Sequence, residues 1–248
     1  CIEFSCFSFS YSSTATTHSM NKALAFFYAY LVATFAMLLI QAGYLTGEQF
    51  VKPLLVPLLA GLYITASSRR SGSMLLALLG CWAGDVLLMF AHHSELYFLL
   101  GLSSFLVGHI AFIRVYREER HAQTQGLLPT QKARFAFPVL LAGTGLLVIL
   151  YPSLGDLRLP VIVYAGVLTL MALQALFRSG HTHRTSFGLT FAGALLFMLS
   201  DSLLALNKFG HGFQHAGFWI MLTYCGAVLL ITLGITFHDP AVKLFRPK

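Results

Sequence analysis

Residues 80–90 read GCWAGDVLLMF, an apolar run that holds a single carboxylate, Asp85, and the reading of this run decides the fold. A second copy of the pattern, LSDSLLALNKF at 199–209, does the same with Asp201. A charge at membrane depth is costly, so it faces a bundle interior or a wet cavity, where it serves chemistry or transport. That both runs lie at membrane depth follows from the rest of the chain, which is 248 residues long, 57% hydrophobic and only 10% charged. Soluble domains carry about 25% charged residues. The fold class is therefore all-α, a polytopic membrane protein.

Outward from these two runs, eight apolar segments are placed at approximately 23–42, 52–66, 73–90, 96–116, 135–150, 159–177, 187–206 and 216–237. Most approach the ~20 residues that a spanning helix needs. Residues 1–19 are rich in Ser, Thr and Phe and have neither the basic start nor the cleavage pattern of a signal peptide. They are expected to be a disordered tail, or sequence upstream of a start at Met20. Residues 20–248 are expected to form one eight-helix transmembrane domain.

Eight spans put both termini on one side, and the basic residues then choose the side. Thirteen of the sixteen Lys and Arg fall on the terminus side, while Lys52, Arg158 and Lys208 fall on the other. This positive-inside bias places both termini in the cytoplasm. It also explains the net charge of +7 without nucleic acid, because the charges sit in short loops and not on one soluble face. Cys1, Cys6, Cys81 and Cys225 show no metal-binding or redox spacing. Cys81 and Cys225, inside apolar runs, read as packing residues.

Spans three and seven both run outward, and each aspartate lies five residues before its expected exit, roughly 7 Å at helical rise. The two carboxylates are thus expected at one level in the non-cytoplasmic half. Lys52 opens span two on that side, Lys208 follows span seven, and Tyr164 and Tyr224 enter from it, with His109 deeper. The polar residues converge on a pocket opening outward. The four-span offset suggests a parallel repeat of two four-helix halves related by a pseudo-twofold axis. Gly80 with Gly84, and Ser104 with Gly108, are small-xxx-small pairs that permit close helix contact. Pro53 and Pro57 put a kink in span two.

A single aspartate near a helix exit suits a structural role equally well, tied to a Lys, a Tyr or a helix end. Two at one depth favour function, since neighbouring carboxylates in a dry site leave an acid beside a base. Position alone favours interface roles for Lys52 and Lys208, a core role for His109, and aromatic-belt roles for Tyr164 and Tyr224. The loop histidines His92, His93, His181, His183, His211 and His215 divide between the two sides, so they do not form one metal site. No G-x-S-x-G elbow or phosphate-cradling loop is present in the sequence.

Lys52-Pro53, Gly84-Asp85 with Leu88, GLSSFLVGHIAFI at 101–113 and GALLFMLSDSLLALNKF at 193–209 together resemble the lysoplasmalogenase family, the YhhN-like membrane hydrolases. The similarity covers nearly all of residues 23–236. The resemblance implies hydrolysis of the vinyl ether bond of a lysoplasmalogen to a fatty aldehyde and a glycerophospho-ethanolamine or glycerophospho-choline, with no metal or organic cofactor. The partners it implies are a lysophospholipid substrate and membrane lipids, without nucleic acid. Asp85 and Asp201 are the expected acid/base pair, and Lys52 an expected ligand of the lipid phosphate. His109, Tyr164 and Tyr224 are expected to orient substrate or acids, and Ser200 and Asn207 of the span-seven motif are further candidate substrate contacts. Two competing functions fit the same residues: a proton-coupled transporter of a lipid or small amphiphile, and a metal-dependent lipid amidase or esterase.

Overall fold

The computed structural model describes residues 3–120, 126–210 and 212–239. Among these, every regular element is helical: α1 (Glu3–Gln41), α2 (Glu48–Ala66), α3 (Gly72–Met89), α4 (Glu95–Glu118), α5 (Pro129–Leu150), α6 (Arg158–Leu176), α7 (Arg184–Phe209) and α8 (Ala216–Thr236). Each contains a stretch long and apolar enough to cross a membrane, that of α1 being Met20–Gln41. Two short 3-10 turns, Tyr151–Ser153 and Gly155–Leu157, link α5 to α6. The eight expected spans are thus the eight observed ones. His211 and the basic residues Lys243, Arg246 and Lys248 lie outside the described residues.

The helix starts and bends have local causes. Ser71 and Ser94 cap α3 and α4, each accepting from a backbone N–H two or three residues on (Met74 at 3.4 Å, Leu96 at 3.2 Å). Inside α2, Pro57 has no N–H for the carbonyl of Pro53 four residues earlier. The Trp82 indole of α3 donates to that carbonyl at 3.0 Å, so the acceptor left by the proline becomes a helix–helix contact. Helix α2 begins at Glu48, one turn ahead of its expected start at Lys52, and the turn so added supplies Lys52 with an i−4 carboxylate at 3.2 Å.

The broadest helix pairings are α7 with α8, α3 with α4 and α1 with α2. Small residues make the first two possible. A Cβ on Gly80 would stand 2.7 Å from the backbone nitrogen of Gly108, and one on Gly193 would stand 2.8 Å from the carbonyl oxygen of Ala227. The α3–α4 and α7–α8 pairs therefore share one packing device. Helix α4 also packs on α6, and α2 on α8, so each half reaches across to the other. Tyr30 of α1 closes the ring by donating to the carbonyl of Cys225 on α8 at 2.8 Å.

One end of the bundle is locked by a residue that sequence reading treats as a loop charge. Arg178, just past the end of α6, is fully buried. It donates to Glu119 at the end of α4 (2.7 Å), and to Thr190 (2.6 Å) and Ser186 (3.1 Å) of α7. Ser186 in turn donates to the carbonyl of Gly234 on α8 at 2.6 Å. Burial pushes the Glu119 carboxyl up to about 7, although the Arg178 guanidinium pulls the other way.

Because the folded value of Glu119 lies above the ordinary glutamate value, its neutral form contributes stability below that ordinary value, and the contribution is lost as pH rises through about 7. Thermal unfolding of the detergent-extracted protein across that window is expected to show wild type losing stability relative to Glu119→Gln as pH rises. Parallel pH profiles would contradict the assignment. Arg178→Ala, which strips a buried carboxylate of its partner, is expected to cost about 3–5 kcal/mol at neutral pH.

Candidate active site

Asp85 lies one turn before the end of α3, on the face that α4 and α8 cover, and is 3% exposed. The Tyr224 hydroxyl of α8 donates to its Oδ2 at 2.6 Å. The ammonium of Lys52, itself paired with Glu48, acts on Asp85 through space from α2. Asp201 sits on α7, two turns before the helix ends at Phe209, since α7 continues past its expected exit at 206. The Tyr164 hydroxyl of α6 donates to its Oδ2 at 2.5 Å. Each carboxylate is thus met by a tyrosine from another helix, the arrangement that a buried polar group requires.

The two aspartates do not share a hydrogen bond. A packed aromatic cluster links the tyrosines that bind them. His109 of α4 meets the Tyr164 ring at 5.3 Å and the Phe197 ring at 4.7 Å, both edge-on. Phe197 meets Tyr224 at 5.5 Å, and Phe105 meets both Tyr224 (5.9 Å) and Phe197 (6.2 Å). A continuous aromatic path therefore runs from the tyrosine on Asp201 to the tyrosine on Asp85. His109 is fully buried, and neither ring nitrogen has a hydrogen-bond partner among the described residues.

The aspartates differ in access. Asp201 is half-buried and lines an apolar cleft between α4, α5, α6 and α7, with Tyr164, Leu147, Leu168 and Met198 among its walls. Tyr164 engages Oδ2, and the Asp201 side chain borders the cleft. Asp85, Lys52 and His109 do not line it.

The other sequence candidates are placed as follows. Ser200 is buried and gives its hydroxyl to the carbonyl of Ile220 on α8 at 3.1 Å, so it joins helices and does not face the cleft. Asn207 is exposed near the end of α7, beside Gly212. Lys208, read as an interface residue, has its ammonium 5.2 Å from the ring centre of Phe98, which lines the cleft. His181 and His183 stand between α6 and α7, while His92, His93 and His215 lie at the opposite end. Among the described residues no three His, Cys, Asp or Glu side chains are grouped as a metal ion would require. Phe105, Phe197 and Cys81 carry no sequence signal, since each is one more apolar residue in a long run. Only the helix facing reveals them.

Fold and site together define a multi-span membrane protein whose interior holds two tyrosine-bound aspartates, one of them open to an apolar cleft. The chain belongs to the YhhN family, which residues 47–235 match, a stretch that includes both aspartates. Human lysoplasmalogenase TMEM86B is 33% identical over 195 residues, 78% of this chain and 76% of that protein. The lysoplasmalogenase of Mycobacterium bovis is 29% identical over 219 residues, 85% of this chain and 80% of that protein. Among solved structures none matches the chain.

If Tyr224 serves the Asp85 carboxyl as described, Tyr224→Phe is expected to cost about 1–3 kcal/mol of stability. Added to Asp85→Ala it should cost much less, because the two changes remove one interaction. Unfolding of the two single variants and the double variant in one detergent measures this coupling. Strict additivity would contradict it.

Proposed function

We propose that the protein is a membrane hydrolase that cleaves the vinyl ether bond of a lysoplasmalogen, releasing a fatty aldehyde and a glycerophospho-ethanolamine or glycerophospho-choline. The observation that carries this reading is the placement of Asp201: a carboxyl bordering an apolar cleft, held by a tyrosine, in a chain similar to proteins named lysoplasmalogenase.

The chemistry follows from the bond. Asp201, as the neutral acid, transfers its proton to the outer vinyl carbon, which leaves an oxocarbenium ion at the ether carbon. The new carboxylate stands beside that cation and stabilises it, much as glycosidase carboxylates do. Water adds to the cation and returns a proton to Asp201. The hemiacetal so formed collapses to aldehyde and glycerol hydroxyl. Tyr164 fixes the acid, and His109 packs against Tyr164 to hold the ring in place.

Asp85 acts from the far end of the aromatic cluster. When ionised, it favours the cation in the cleft, and the Tyr224 hydroxyl is the donor that holds it. Lys52, paired with Glu48 and away from the cleft, acts on Asp85 in preference to binding the lipid phosphate. With thirteen of sixteen basic residues on the terminus side, both termini face the cytoplasm and the cleft opens toward the non-cytoplasmic side.

Asp201→Asn is expected to lower aldehyde release by about 10²–10⁴-fold, and Asp85→Asn by about 10²-fold, in protein that extracts and folds normally. Mass spectrometry of aldehyde from a purified lysoplasmalogen reads both. Full activity in the two variants would sink the assignment. Movement of lipid across sealed vesicles without aldehyde would select a transporter instead.

A further inference from the structure

The cleft beside Asp201 does not end at the carboxylate. Toward the outer end of α7 it is bordered by Phe98 and Phe209, with the Lys208 ammonium 5.2 Å from the ring centre of Phe98, so a cation stands at the mouth. Midway along the bundle, Gly143 lets α5 pack closely on α6 beside the cleft, since a Cβ there would run into the Thr169 hydroxyl. Inward, the cleft reaches Met198 and Ser202 of α7. The same two side chains border a second, apolar groove between α5 and α7, walled by Pro138, Ala142, Phe191 and Leu195. Ser202 gives its hydroxyl to the carbonyl of Met198 at 2.6 Å, so it adds no spare donor at the junction.

The two hollows share Met198 and Ser202 as walls, and taken together they form one furrow along α5 and α7. A cation stands at its top, a carboxylate part-way down, and hydrocarbon side chains below. From Asp201 to Phe191, α7 descends about 15 Å at helical rise, roughly half of the ~30 Å hydrocarbon core.

We infer that this furrow holds one single-chain phospholipid lengthwise: its phosphate at Lys208, its reacting ether at Asp201, and its alkyl chain passing Met198 into the α5–α7 groove. Met198, Ala142 and Leu195 then set the chain length that the enzyme accepts. The identity of the lipid rests on the reaction proposed above; the track rests on the walls that the two hollows share and on the gradient from charge to hydrocarbon. The groove is built for a chain and not for a head group, because it presents no charged side chain. Chain length changes how much apolar surface it buries, so selectivity follows from the groove walls.

Two arms test the track separately from the reaction. In the first, a saturated 1-O-alkyl lysophospholipid with a diazirine at the chain end, which lacks the vinyl ether, is photolysed with the purified full chain and mapped by mass spectrometry. Label is expected within 135–142 of α5 and 191–199 of α7. Label scattered over the lipid-facing helices overturns the track. In the second, Leu195→Trp, with Ala142→Phe on the facing wall as a second variant, is expected to lower the ratio of long-chain to short-chain lysoplasmalogen turnover at least about tenfold. An unchanged ratio in both variants overturns the track. Groove labelling without aldehyde release by wild type supports the track and overturns the reaction; aldehyde release without groove labelling does the reverse.

Discussion

A carboxylate inside an apolar bundle needs a donor, and the site depends on that requirement being met twice. Tyr224 reaches Asp85 from α8, and Tyr164 reaches Asp201 from α6. Each bond also joins two helices, so the polar site is at the same time a cross-brace of the fold. The aromatic cluster of His109, Phe197 and Phe105 joins the two braces, packing against Tyr164 at one side and Tyr224 at the other. Helix α3 can approach α4, and α7 approach α8, only because Gly80, Gly108 and Gly193 present no side chain at the crossings.

The two aspartates have different surroundings. Asp85 is enclosed, bonded by a tyrosine and faced by the charge of Lys52. Asp201 opens onto hydrocarbon. Two like residues in unlike settings are what acid catalysis with a charge-stabilising neighbour calls for. At the other end of the molecule, Arg178 and Glu119 form a second buried polar joint, which ties α4 to α7 and, through Ser186, to α8. That joint holds α4 and α7, the helices that carry His109 and Asp201, without itself touching the cleft.

The eight spans were legible because apolar runs of that length have few other uses, and the aspartates because they interrupt such runs. Helix ends were less so: α2 starts a turn before Lys52 because Glu48 and Gln49, polar residues, still belong to the helix. Which tyrosine meets which aspartate depends on how helices face each other, and all eight are apolar around most of their surface, so periodicity carried little of it. Arg178 counted correctly as a basic residue between α6 and α7, yet its complete burial was invisible. The Ser186 and Thr190 pair, one turn apart on α7, is the only trace of its binding face in the sequence. Ser200 belongs to the most specific motif of the chain and serves α7–α8 packing, so motif membership did not separate structural from cleft residues.

The proposed reaction turns on an enzymic acid that protonates a vinyl carbon. The purified protein, given a lysoplasmalogen in deuterium oxide with the aldehyde trapped at once by reduction, tests it most directly. The account predicts a fatty alcohol carrying one solvent deuterium on the carbon next to the former aldehyde carbon. Product without that deuterium, or no product from this lipid, would contradict it.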